Sequence, residues 1–544
     1  MIKIGIPRPL ASSDQRMLLD TLGEVFNVRF ENCQFGYKAG MDAWFLQDIY
    51  REDVQWISKS DRPCFAIIRN DELSRCGESS AIEFSAHSVL PSVLHCRRVE
   101  NDEAAEFKAL PKWLKNVLVL ASKEGEPIWG IQEASGFLHH YTSLPLQELT
   151  RGEPLFQLFQ GRKLFRLLPI LLFLRGLVED QRWDPPPLQA CFMFDDPNLH
   201  WSRYGFIDFA GMVEHAKQFN YHVSFATIPI DTWFVHKPTA SLFQKHHDRI
   251  SLLIHGNDHT RHEMGKSYDE KERKRILMQA LTRIVELEYR SGVEVSRVMV
   301  APHGACSEEF LKDMSEMGFE AACISRGSLR RHNTGANFVR TFGMGAADII
   351  TGLPIFPRFP LSKSSHNNIL IAALLRRPII LVGHHHDVSN GLHLLEELSA
   401  FINSLGDIQW TDMKRISRSH YARMIEGNIL RVKMFTKRIE VNVPDGINQI
   451  WIERFWLNGS ESEPLAWRVF HESSDWKPHH PEDAIAVNPG QTIEIASDLV
   501  VFPVINKRME RKLRLWSMGR RQLTEVRDRL APVLKWVSMR ISGR

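Results

Sequence analysis

Four short segments carry side chains whose types and spacing suit the binding of a divalent cation. Asp195 and Asp196 stand side by side where an apolar run ends, in "FMFDDPN". Two like charges are tolerated there if one of them binds a cation, whose field stabilises both. His255 and His259, in "HGNDH", are four apart, so one helical turn or a compact loop can aim both imidazoles at one ion. "VAPHG" delivers Pro302 and His303, and "LVGHHHD" delivers His384, His385, His386 and Asp387 after another apolar run. Each segment alone has an ordinary structural explanation: a turn for Asp-Asp-Pro-Asn, a surface cluster for the histidines. Four apolar runs ending in such residues make coincidence a poor account.

Those runs must be strands that bring their ends together. From Cys191 to about Trp410, "ACFMF", "HVSFATI", "RISLLIH", "RVMVAPH", "AACIS" and "PIILVGH" recur with helical patterns between them. The reactive residues sit at the C-terminal ends, as in a β/α barrel. The fold class expected is therefore α/β: a distorted β/α barrel with an N-terminal α/β domain and a small C-terminal β-domain. The expected division is an α/β domain over 1–135 and a helical, proline-containing linker over 136–190. A barrel over 191–425, an antiparallel β-domain over 426–505 and a basic amphipathic helix over 506–544 complete it. No G-x-G-x-x-G follows the first strand, "IKIGI", so a dinucleotide site has no support.

Composition narrows the class. The 544 residues are 43% hydrophobic and 24% charged, ordinary globular material long enough for several cores. The seven cysteines are scattered with no C-x-x-C spacing, which speaks against a disulfide framework or zinc ribbon. "MIKIGIPRPL" lacks a signal-peptide h-region, and "LFRLLPILLFLRGL" is too short and too basic to span a bilayer, so a soluble cytoplasmic protein is expected. The net charge of +3 conceals an asymmetry: Lys507 to Arg544 holds twelve Lys and Arg against three Asp and Glu. Val526, Leu530, Val533, Leu534, Val537 and Ile541 fall at helical spacing within that tail. The expectation is a terminal helix packed on the protein with its basic face in solvent, with peripheral contact to anionic lipid as the alternative. Nucleic acid is not expected, since the cations lack interleaved aromatics.

In order and content, "FMFDDPN", "HGNDH", "VAPHG" and "LVGHHHD" resemble the motifs of the polysaccharide deacetylase family, the NodB-homology or carbohydrate esterase family 4 domain. The resemblance covers roughly residues 185–415. It implies a NodB-type barrel in which Asp195 is the general base. Asp196, His255 and His259 would hold a divalent metal, with zinc the expected ion. A late histidine is the acid: His384 is the first choice by its "V-G-H" setting and His386 the second. Pro302, His303 and Arg358 are assigned to the substrate side. Three departures stand out: Gly256 replaces Ser or Thr, "APHG" lacks the arginine that pairs with the base, and no D-x-x-D-W precedes the last strand. Arg358, in "GLPIFPRFP", is a candidate for the missing positive charge.

The function implied is removal of an N-acyl group from an amino sugar, an intracellular intermediate of surface polysaccharide synthesis. Trp201, Tyr204 and Trp233 are candidates to stack on the sugar. Two alternatives stay open: a non-catalytic glycan-binding or scaffold protein of polysaccharide assembly, and a metal hydrolase acting on a non-sugar amide.

Overall fold

The computed structural model describes residues 1–34, 40–77, 79–102, 106–159, 164–345, 348–454, 467–471, 477–479, 483–497 and 515–542. The chain forms two compact units, one of Met1–Gln181 with Gly335–Gly345 and His366–Leu375, the other of Arg182–Thr334, Ala346–Ser365 and Arg376–Arg544.

The first unit is built on a nine-stranded mixed sheet. Ile2–Ile6 pairs in parallel with Val28–Asn32 and Ala43–Ile49, and Ala43–Ile49 with Cys64–Ile68. The antiparallel strands Leu118–Lys123, Glu126–Ala134 and Phe137–Thr142 follow. The stretch expected as a linker from 136 is divided differently: Phe137–Thr142 is a sheet strand and Leu168–Val178 a helix of this unit. The helix is apolar nearly all round, so it reads as buried structure rather than as a spacer.

His140 lies in this core among the rings of Phe65, Trp129 and Phe173. Burial, with a smaller contribution from His139, pushes its pKa from 6.5 down to about 3. Between those values the unfolded chain binds a proton that the folded chain does not. His140 thus costs nothing above pH 6.5 and destabilises as pH falls, by about 1.4 kcal/mol per pH unit. His140→Phe should therefore lose less melting temperature between pH 7 and pH 5 than the parent does. Equal losses would rule out His140 as a contributor.

The second unit is organised by parallel strands: β1 (Leu188–Asp195), β2 (Val223–Thr227), β3 (Ile250–His255), β4 (Val295–Val300), β5 (Ala321–Ile324), β6 (Leu353–Pro357) and β7 (Ile379–Gly383). Neighbours follow chain order from β1 to β6, and β7 lies on the other side of β1, in a curled half-barrel. All eight residues of β1 are buried, which explains its unbroken apolar sequence: a parallel strand covered on both faces has no solvent side to alternate with. β6 pairs with β5, and just beyond Arg358 the same run pairs with β7 through Phe359–Pro360. Arg358 therefore sits where the chain changes partner.

Beyond the half-barrel strands, the described residues between 421 and 497 supply two four-stranded sheets around a core that includes Leu430, Val432, Ile439, Val441, Ile450, Ile493 and Ile495. Most pairings are antiparallel, but Ile429–Met434 and Gln449–Arg454 run parallel. A 28-residue helix, Leu515–Ser542, ends the chain; residues 498–514, part of the expected β-domain and tail, lie outside those described. Pro532 is inside this helix, and the side chain of Ile541 is also outside those described.

Candidate metal centre

The C-terminal ends of β1, β3, β4, β6 and β7 deliver the expected residues to one side of the sheet. At the end of β1 the backbone turns sharply, with Asp196 at φ 85°. That left-handed conformation, uncommon for a residue with a Cβ, lets consecutive aspartates face one cavity rather than opposite sides of the sheet. His259 (φ 54°) and His303 (φ 57°) share this conformation, so the unfavourable backbone collects around the site.

Asp196, His255 and His259 form a three-ligand cluster with their donor atoms within 4.8 Å of one another. Asp196 Oδ1 is 3.7 Å from His255 Nε2 and 3.2 Å from His259 Nε2. Ligands about 2 Å from a common ion sit this far apart, and Asp196 Oδ1 is buried with no hydrogen-bond partner, as a metal-facing oxygen should be. His255 Nδ1 donates to the Val300 carbonyl at 3.0 Å, which fixes the tautomer that leaves Nε2 free to ligate. Burial, followed by the neighbouring His255, pushes His259 down to about 3, keeping it in the neutral form a metal needs. Burial works to raise the Asp196 carboxyl, yet His259, His255 and Arg521 together hold it below the usual range. The residues fit a divalent cation with one carboxylate and two imidazoles.

The His259 loop is held by a residue the motif reading passed over. The buried Glu263 carboxylate accepts from the N–H groups of Asn257, Asp258 and His259 at 2.9, 2.9 and 3.3 Å. Gly256 also becomes intelligible: its φ is 62°, and a Cβ there would lie 2.3 Å from Pro302 Cγ. The packing of Pro302 against that position excludes Ser or Thr.

Asp195 is 4% exposed and is gripped by Arg358, whose Nη1 donates to Oδ1 at 2.9 Å and to Oδ2 at 3.0 Å. Burial alone would raise the carboxyl; Arg358, then His255 and His384, more than offset it and hold it low. Arg358, assigned above to the substrate side and also offered as the missing positive charge, pairs with Asp195 from just beyond β6.

Family models matching this chain were sought and none was found, and no curated protein matches either. Solved structures do resemble it. A polysaccharide deacetylase described as putative, from Mycobacterium smegmatis, is similar at 15% identity over 43% of this chain and 90% of its own, with a TM-score of 0.32. A CE4 esterase of Streptococcus mutans is 12% identical over 41% of this chain and 86% of its own, TM-score 0.26. The Xyl-CE4 domain of a xylanase from the hindgut metagenome of Trinervitermes trinervoides is 10% identical over 42% and 88%, TM-score 0.24. At such identities and scores the chemistry must be read from the residues of the cluster.

The remaining expected residues separate clearly. The His384 imidazole is exposed at the end of β7 and close enough to both aspartates to lower them. His385 is buried, with Nε2 3.7 Å from Asp528 and its ring against Tyr204 and Phe206. His386 is exposed beside Phe206, and Asp387 accepts from the His384 N–H at 2.7 Å, fixing that turn. His303 is exposed with its ring 4.8 Å from that of His259. Trp201 and Trp233 are exposed, whereas Tyr204 is fully buried and donates to Asp528 at 3.0 Å, so it has no face to offer a sugar.

What sequence reasoning missed is the part played by the C-terminal helix. The buried guanidinium of Arg521 donates from Nη2 to the Asp196 carbonyl at 3.0 Å and from Nε to Asp231 at 2.8 Å. Arg520 donates to the carbonyls of Asp258 and His259. Glu525 accepts from His200 Nδ1 at 3.0 Å. The spacing Ser517, Arg521, Glu525, Asp528 puts these polar groups on one helical face, a signal present in the sequence but masked by the apolar periodicity beside it.

Proposed function

We propose that the protein is a metal-dependent hydrolase that removes an N-acyl group, acetyl in the simplest case, from an amino sugar. The observation that carries this reading is the juxtaposition of an unpartnered, buried Asp196 Oδ1 and two imidazoles with a second aspartate held ionised by Arg358. A divalent cation bound by Asp196, His255 and His259 would polarise the amide carbonyl and acidify a water. Zinc suits a carboxylate and imidazole set of this size. Asp195 takes the proton of the attacking water, its own charge secured by Arg358. His384 protonates the departing amine, which no buried histidine of the run can reach from its position against Tyr204. Exposed Trp201 and Trp233 supply aromatic faces for a glycan. An intermediate of surface polysaccharide synthesis is the substrate class we favour.

The test is acetate release from N-acetylated amino sugars by the zinc-loaded chain. His384→Ala should lower turnover by about 10²–10⁴-fold with bound metal unchanged, while His386→Ala stays within a few-fold of the parent. The reverse pattern would transfer the acid role to His386. Sugar binding with no acetate released would favour the glycan-binding reading, and release only from non-sugar amides the third one.

A further inference from the structure

The C-terminal helix is inverted relative to the usual rule for a helix on a globular surface. Its inward face is polar: Ser517, Arg521, Glu525 and Asp528 are 1–4% exposed, and the last three are tied to Asp231, His200 and Tyr204. Its outward face is apolar: Trp516 is 82% exposed, Leu523 75%, Leu534 63%, Val533 55%, Val526 53% and Leu530 48%. At about 100° per residue these six fall within an arc of about 100°, opposite the buried polar residues. The helix is held to the protein by charge and hydrogen bonds, so its apolar stripe contributes nothing to that attachment. Hydrophobic area displayed this way on a chain that could have turned it inward marks a contact surface.

The charges on the helix select the occupant. Its two acidic residues, Glu525 and Asp528, both point inward and are buried. The charged groups nearest the outer face are cations: Arg527, whose side chain is 72% exposed and pairs with Asp528, and, further round toward the protein, Arg520 and Lys535, which donate to the carbonyls of Asp258, His259 and Ser389. A second copy of the helix laid on the first would set arginine against arginine, and Pro532 interrupts the regular seam that a helical partner would require. An apolar stripe bordered by cations and carrying a tryptophan matches the boundary between headgroups and acyl chains of an anionic bilayer. No described helix is long and apolar enough to cross a membrane, so the contact is peripheral.

We infer that the outer face of Leu515–Ser542 docks the protein on an anionic lipid surface, while the inner face of the same helix packs beside the candidate metal centre. The contact is independent of the reaction proposed above. It is tested with the full chain by co-sedimentation with vesicles of phosphatidylglycerol and phosphatidylcholine, against vesicles of phosphatidylcholine alone. The chain should pellet with the anionic vesicles, less so at high salt, and remain in the supernatant with the neutral ones. Leu523→Asp with Leu530→Asp should weaken partitioning more than about tenfold. Melting temperature should hardly move, because both side chains are exposed. Equal pelleting of the double variant, or no binding to anionic vesicles, would overturn the inference. So would a dimer in free solution that Leu530→Asp converts to monomer, since the stripe would then belong to a second copy.

Discussion

Asp196→Ala is expected to leave the protein folded but without bound zinc and without activity, because it removes the one carboxylate of the three-ligand cluster. Two imidazoles alone do not complete a site of this kind, whose usual complement is three protein ligands. Asp195→Asn should behave differently. It keeps the side-chain volume and the metal, and loses the base, so turnover falls by about 10²–10⁴-fold. Metal content after gel filtration and acetate release, measured on both variants, separate the two roles. Asp196→Ala with one zinc still bound per chain would dismantle the ligand assignment; Asp195→Asn without zinc would show that the pair shares one task.

The second large effect belongs to Arg358. Its side chain and that of Asp195 are 7% and 5% exposed, so Arg358→Ala strands a buried carboxylate. Breaking a buried pair from one side typically costs about 3–5 kcal/mol. The pH dependence should weaken as well. With Arg358 present, Asp195 is lowered in the folded chain, so its contribution to stability exists above the unfolded pKa near 3.8 and is lost as pH falls through the folded value. Without Arg358 the largest influence that lowers the carboxyl is gone and burial is opposed only by His255 and His384, so the variant's deficit should shrink as the medium is acidified. Asp195→Asn with Arg358→Ala should recover part of the stability and none of the turnover. Urea midpoints at several pH values report this directly. An Arg358→Ala protein within about 1 kcal/mol of the parent at neutral pH would mean the ion pair is not the support described.

Much of the site could be read from local sequence because local rules govern it. An unbroken apolar run implies a strand buried on both faces, and a reactive residue at its end implies a position at the rim. Spacing of four lets two imidazoles meet across a helical turn or a compact loop such as the one Glu263 holds here. Asp195, Asp196, His255, His259 and the run of three histidines could be placed at strand ends this way. The choice among the three consecutive histidines could not be made, because it depends on which one is covered by Tyr204 and Phe206. Tyr204 was misjudged for the same reason: an aromatic residue carries no mark of whether its ring will be buried.

By itself the sequence determined the succession of strands along the chain and the residues at their ends, through unbroken apolar runs, and the two faces of the terminal helix, through a period of 3.6 residues. Only the tertiary structure decided which partners those residues meet. Arg358 reaches Asp195 across 163 positions and Arg521 reaches the Asp196 carbonyl across 325, distances over which no pattern in the chain specifies contact. The orientation of the helix was also a tertiary matter. The surface it covers presents Asp231, His200, Tyr204 and His385, polar groups that require partners when buried, and satisfying them outweighs hiding a stripe of valine and leucine.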